Sequence, residues 1–199
     1  MTGKTIVDNT PRTYYNVGEK RHRKEKSPMN DLHISDSVRY IGADDTTIDL
    51  FESQYPVPNG VSYNSYLILD EKVAVMDTVD RRAADKWLEN MDAQLQGRAP
   101  DYLVIQHLEP DHAGSIGLLL EKFPAMKLVG NAKTFSMLPK YFPGDWSSRS
   151  VTVKEGDALS LGAHTLTFVM APMVHWPEVM VSYESSEKIL FSADGFGKF

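Results

Sequence analysis

The chain has 199 residues, 42% hydrophobic and 24% charged, with a net charge of −6 and no cysteine. That composition suits one globular domain with a buried core, and the absence of cysteine excludes disulfides, thiolate metal sites, iron–sulfur clusters and a cysteine nucleophile. No apolar run approaches the ~18 residues of a membrane span and the amino terminus lacks the apolar segment of a signal peptide, so a cytoplasmic setting without membrane contact is expected.

Residues 1–30 hold seven Lys/Arg against three Asp/Glu, leaving fourteen basic and twenty-four acidic residues for the remainder. An acidic body is a poor match for nucleic acid. The cluster Lys20, Arg21, Arg23, Lys24 and Lys26 carries little apolar material, so 1–29 reads as a flexible basic leader ahead of a domain spanning 30–199. "HISDSVRYIGAD" and "IDLFESQY" read as short strands with a turn at Gly42 to Asp45. "VSYNSYLILD" and "EKVAVMDTV" follow as two strands joined tightly around Asp70 and Glu71. Residues 81–95 place Ala84, Leu88, Met91 and Leu95 at helical spacing, and Gly97 and Pro100 end that helix. "DYLVIQ" is a short strand of the kind buried on both faces. "SIGLLLEKF" reads as a helix, "MKLVG" as a strand and "AKTFSMLPKYF" as a short helix. From Val151 onward the chain reads as β-rich. Strands and helices in this order predict an α/β sandwich, helices packed on mixed sheets.

The segment "VIQHLEPDHAGS" (104–115) places His107, Glu109, Asp111 and His112 within six positions. In an extended chain, residues two apart point the same way, and Pro110 argues against a helix, so His107, Glu109 and Asp111 are expected on one side. His112 then begins the turn into the next helix. The cluster ends a buried strand, where open α/β sheets commonly build their sites. Two carboxylates and two imidazoles packed together repel and pay for desolvation unless a cation neutralises them, and a bound metal ion does so. His175, in "MAPMVHWPEV", and Asp194, in "ILFSADGFG", also follow apolar strands, which makes a common rim plausible. Tyr63 and Tyr66 read as core or sheet residues. Ser115 lacks the spacing of a nucleophile elbow, and "GFGKF" lacks that of a phosphate loop.

His107-x-Glu109-x-Asp111-His112, then 62 residues to His175 and 18 more to Asp194, resembles the diiron-ligand pattern of the flavodiiron proteins (A-type flavoproteins). "YNSYLI" (63–68), "DTVD" (77–80), "HWPE" (175–178) and "LFSADGFG" (190–197) resemble that family as well. The resemblance implies a metallo-β-lactamase-like αββα sandwich, followed in the family by a flavodoxin-like FMN domain. It assigns His107, Glu109 and His175 to one iron and Asp111 and His112 to the other, with Asp194 bridging. The reaction it implies is reduction of dioxygen to water, of nitric oxide to nitrous oxide, or both, with a flavin refilling the irons. Hydrolases of the wider fold usually carry His where Glu109 stands. A carboxylate there adds charge and a hard oxygen donor, which favours ferric iron. Trp176 reads chiefly as wall packing beside His175, with contact to the FMN of a partner subunit as a second role.

The family pattern carries one more His on the second iron, about sixty residues beyond Asp194 by the resemblance, whereas this sequence stops five residues after Asp194. The expectation is therefore an N-terminal portion of the diiron domain. A companion polypeptide or C-terminal segment would carry the last His and the FMN domain, and strands from 151 to 193 would show exposed apolar faces and an unpaired edge. Head-to-tail homo-oligomers and a redox donor such as rubredoxin or a reductase are further implications. Two other readings stand beside it: a metal-dependent hydrolase of the metallo-β-lactamase fold, and a non-catalytic fragment that keeps the ligands.

Overall fold

A computed structural model describes residues 34–196. The basic leader assigned to 1–29 lies outside them. Fourteen short strands and four α-helices follow one another from Val38 to Phe191. Strands β1 (Val38–Tyr40), β2 (Ala43–Asp45), β3 (Leu50–Phe51), β4 (Tyr55–Pro56), β5 (Val61–Tyr63), β6 (Tyr66–Ile68) and β7 (Ala74–Met76) come first. Helix α1 (Ala84–Leu95), strand β8 (Tyr102–Val104), helices α2 (Pro110–Ala113) and α3 (Ile116–Lys122), strand β9 (Lys127–Asn131) and helix α4 (Ala132–Tyr141) form the middle. The end is β-rich: β10 (Ser150–Val153), β11 (Ala158–Ser160), β12 (Thr165–Met170), β13 (Met180–Glu184) and β14 (Ile189–Phe191).

Six strands form a mixed sheet in the order β1-β6-β7-β8-β9-β10, and four form a second sheet in the order β11-β12-β13-β14. Strands β7 to β10 run parallel, while the second sheet is antiparallel throughout. The first sheet is covered on both faces. Ile68, Ala74, Met76, Val104 and Val129 face Leu166, Phe168, Met180 and Phe191 of the second sheet. Their neighbours Leu67, Val75, Leu103 and Leu128 point the other way, onto Trp87, Met91, Ile116, Leu119 and Leu138 of the helices. That alternation follows from the two-residue period of a strand, and burial of both faces explains why these strands read as unbroken apolar runs. The expected α/β sandwich is therefore present.

Several local expectations change. Residues Ala43–Asp45 are a strand, not a turn, because they pair with Val61–Tyr63. "IDLFESQY" is not one strand but the tight β3–β4 pair, turned at Glu52 and Ser53, whose φ values are 50° and 60°. In the first long helix the central buried side chain is Trp87, with Leu88 only half-buried. The indole N–H of Trp87 donates to Ser65 Oγ at 3.0 Å, and Ser65 Oγ donates to the Asp77 carbonyl at 2.9 Å. A buried polar chain thus ties the helix to the end of β7. Strand β10 joins the first sheet beside β9 instead of the second. On the second sheet, Val169, Tyr183 and Leu190 are 40%, 38% and 46% exposed; all three lie on the face turned from the core, and β14 is an edge among the described strands.

Candidate metal centre

Parallel strands β7, β8 and β9 end side by side, and the segments that leave them build the site. After β8 the chain stays extended through His107, Leu108 and Glu109. Pro110 then opens helix α2, where its missing N–H costs nothing at the first helical position. Asp111 is therefore helical, which corrects the expectation that it simply continues the alternation. The change of backbone divides the motif: the extended half sends His107 and Glu109 to one place, and the helical half sends Asp111 and His112 to another.

His175 arrives on the loop after β12 and Asp194 on the turn after β14. The six side chains converge in two groups, His107, Glu109, His175 and Asp194 in one, Asp111, His112 and Asp194 in the other, with the candidate ligand atoms of each group within 4.8 Å of one another. In the first, Glu109 Oε2 lies 2.9 Å from His107 Nε2 and 2.8 Å from His175 Nε2. Asp194 Oδ2 stands 3.4 Å from both imidazoles. In the second, Asp194 Oδ1 lies 2.6 Å from His112 Nε2, and Asp111 Oδ2 is 3.4 Å from the same nitrogen. Asp194 thus turns one oxygen to each group. Edges of about 3 Å between donor atoms are those that metal–ligand bonds of about 2 Å produce. The donor set of imidazoles and hard carboxylates suits iron. Buried atoms Asp111 Oδ1, His112 Nδ1 and Gln106 Oε1 have no hydrogen-bond partner among the described residues, which fits a site that gathers charge around an ion.

A buried framework aims these groups. Glu178, fully buried, accepts from His107 Nδ1 and from the Leu108 N–H, both at 2.9 Å. Its own carbonyl accepts from Asn131 Nδ2 at 2.7 Å, so the end of β9 holds the loop that carries His175. Asp77, at the end of β7, accepts from the Gln106 N–H at 2.7 Å and from Gln106 Nε2 at 3.0 Å. Its Oδ2 stands 3.6 Å from His112 Nδ1, an ion-pair distance rather than a hydrogen bond. Asp77, Met173 and Ala193 adopt φ of 52°, 67° and 48°, left-handed backbone that concentrates at functional sites. Trp176 sets its ring edge against His107, centroids 5.2 Å apart, the wall packing expected of it. Sequence reading quoted "DTVD" and "HWPE" yet gave Asp77 and Glu178 no role; the signal was an acid ending an apolar strand and another just past His175. Glu52, on the β3–β4 turn and on the same cavity wall as Glu109, left no signal at all.

Electrostatics follow from this packing. Desolvation opposes a charge on His107, but its hydrogen bonds to Glu109 and Glu178 prevail and hold its pKa up at about 9. The same bond to His107, despite burial, draws Glu109 down to about 2, and the hydrogen bond to Glu109 pushes Glu52 up to about 7. Burial also works against His112, which Asp194 and Asp77 nevertheless hold well above its ordinary value. In the metal-free chain, His107 contributes stability that is complete below its ordinary pKa of 6.5 and is lost as pH rises through about 9. A metal at Nε2 must displace that proton. Metal affinity is therefore expected to rise by about tenfold per pH unit from pH 7 towards 9, while the chelated chain loses stability over the same range; metal titrations and denaturant unfolding at each pH measure both.

One glycine controls the helical half of the motif. A Cβ on Gly114 would lie 2.6 Å from the Pro110 carbonyl oxygen and 2.9 Å from the Arg81 nitrogen. Both are backbone atoms, so α2 would have to move. Gly114→Ala is expected to cost about 1–3 kcal/mol and to lower metal content at Asp111 and His112 without altering a ligand, as urea unfolding and elemental analysis would report.

Comparison with known proteins places this arrangement. The family model described as "ODP family beta lactamase" matches residues 61–199. An anaerobic nitric oxide reductase flavorubredoxin of Aliivibrio salmonicida is 36% identical over 170 residues, 84% of this chain and 34% of that protein. Among solved structures, the flavodiiron protein of Giardia intestinalis superposes with a TM-score of 0.77 at 33% identity, covering 83% of this chain and 40% of that one. The rubredoxin oxygen:oxidoreductase of Desulfovibrio gigas gives 0.75 at 36%, covering 79% and 39%. The chain spans about a third of the length of the flavorubredoxin it matches.

Proposed function

The chain belongs to the ODP family of β-lactamase domains, and on that premise we propose that it forms the metal-binding portion of a flavodiiron oxidoreductase acting on dioxygen, nitric oxide or both. His107, Glu109 and His175 would hold one iron, Asp111 and His112 the other, and Asp194 would join them. The observation that carries this reading is the pair of Asp194 oxygens, one facing each group at 2.6 Å and 3.4 Å from the histidines. Both flavin and rubredoxin appear in the names of relatives with this domain, a flavorubredoxin and a rubredoxin oxygen:oxidoreductase. We accordingly propose FMN as electron source, held on a companion polypeptide or a further segment that also supplies a last His to the second iron. A cavity of about 250 Å³ lined by Gln106, His112 and Ser192 adjoins the second group and would have room for such a ligand. A head-to-tail homo-oligomer and a rubredoxin-type or reductase donor complete the proposal.

When bound, the iron pair supplies electrons to a small ligand. The chain's own residues prepare the place. Glu178 accepts a hydrogen bond from His107 Nδ1–H and so presents Nε2 to the centre. Asp77 stations its carboxylate behind His112. Glu52 and Glu109 line a cavity of about 600 Å³ together with the apolar walls Phe51, Tyr55, Pro56 and Val57. Those walls suit an uncharged diatomic gas. No helix among the described residues is long and apolar enough to cross a membrane.

Elemental analysis and anaerobic stopped-flow on the intact assembly test the reading, each gas offered in turn. Two irons per chain and reoxidation of reduced flavin by either gas are expected. Zinc at the site, with turnover of a thioester or phosphodiester and no flavin, would overturn it in favour of a metal-dependent hydrolase. Bound iron with no gas reduction would instead leave a non-catalytic fragment.

A further inference from the structure

Besides the cavity lined by Gln106, His112 and Ser192, two others reach the centre. One opens before Glu109 and His175, with Phe51, Tyr55, Pro56 and Val57 beside Glu52, Asp111 and Asp194 on its walls. The other, about 300 Å³, adjoins Asp111 and His112 and is walled by Asn59, Ser62, Tyr63 and Asn64. Only one of these four is a buried side chain with a free donor. Ser62 Oγ is engaged with Asp44 Oδ1 at 2.6 Å, and Asn64 is exposed. Tyr63 is 2% exposed, and its hydroxyl has no hydrogen-bond partner among the described residues. Asp111 Oδ1, on another wall of the same cavity, also has none. A buried phenol hydroxyl and a buried carboxylate oxygen without partners are each costly, and both residues line this cavity, where a small polar molecule would supply a missing partner. Strand pairing fixes the position: Tyr63 lies opposite Ala43 in the β2–β5 ladder, and its carbonyl accepts from the Tyr40 hydroxyl at 3.4 Å.

We propose that Tyr63 is a ligand-binding residue of the centre, its hydroxyl donating a hydrogen bond to a small oxygen- or nitrogen-bearing molecule held in this cavity against Asp111 and the second metal. Such molecules include water and the substrate that replaces it. This rests on the reading of the six side chains as a diiron centre, and it departs from the sequence reading of Tyr63 as a sheet residue alone. Burial first, then the nearby Asp80 carboxylate, pushes the phenol up to about 12, so it keeps its proton and acts as a donor across the working pH range.

Azide, a small anion that binds ferric centres and gives a charge-transfer band, is the probe. In the iron-loaded native assembly, Tyr63→Phe is expected to weaken azide binding about threefold to tenfold, the loss of one hydrogen bond, with iron content unchanged. Tyr183→Phe, on the outward face of the second sheet, is expected to leave it unmoved. Unchanged azide affinity in Tyr63→Phe overturns the proposal. If that variant loses its iron, 3-fluorotyrosine at position 63 decides instead: a stronger donor of the same shape should tighten azide, and an equal affinity overturns the proposal. Absence of iron or of any azide band in the unsubstituted assembly would defeat the diiron reading itself, an outcome distinct from either variant result.

Discussion

Asp194→Ala is expected to empty both metal positions at once, whereas His175→Ala should weaken only the first. Asp194 is the sole side chain shared by the two groups, its Oδ2 facing His107 and His175 and its Oδ1 facing His112. Removing it takes one ligand from each ion and also takes away the charge that joins them. Of the described residues, only Asp111 and His112 then remain in the second group. A change in an outer partner alone commonly costs 10–100-fold in metal affinity, so losing a shared ligand should exceed roughly 100-fold at each position. The fold should survive. Asp194 sits on a turn after β14 with its side chain 36% exposed. Elemental analysis with far-UV circular dichroism separates the two effects. Retention of one ion at full occupancy in Asp194→Ala would show that the carboxylate is not shared.

How much of this was legible beforehand depends on whether neighbours in sequence or neighbours in space set the feature. The parallel strands were readable because both faces are buried: Leu103 and Val104 point to opposite sides, yet each meets an apolar wall. The His107–His112 motif was readable because its crowding of like groups demands a cation whatever the fold. Asp194 and His175 were readable only as strand ends whose spacing matched a known family. What failed was local. Pro110 argues against a helix in the sequence, yet the first helical position tolerates it, so Asp111 lies on helical rather than extended backbone. Gly42 to Asp45 reads as a turn from its own residues; the strand character of Ala43–Asp45 comes from a partner, Val61–Tyr63, some twenty residues away. Glu178 and Asp77 could not be assigned from spacing at all, since their roles depend on contacts spanning 71 and 29 residues.

Glu178→Gln offers the sharpest test of the framework behind the ligands, because its effect should depend on pH in a defined way. Glu178 is fully buried, and its Oε1 accepts from both His107 Nδ1 and the Leu108 N–H. Glutamine keeps an acceptor oxygen at nearly the same place and removes the charge. Glu178→Ala would remove both and leave the protonated His107 of the metal-free chain short of a partner, at a cost of about 3–5 kcal/mol; the amide variant is therefore the informative one. Two consequences oppose each other. A less basic imidazole binds metal more weakly, by about 10–100-fold where no proton competes. Without the carboxylate, however, His107 no longer holds its proton up to about 9, so the metal has less to displace at lower pH. The deficit of Glu178→Gln should be greatest near pH 9 and should shrink towards pH 6, where the unsubstituted protein suffers its heaviest proton competition. Metal titrations of both proteins across that range measure the gap directly. A deficit of constant size would mean that Glu178 merely orients the ring, and that the charge behind His107 does not govern when the centre fills.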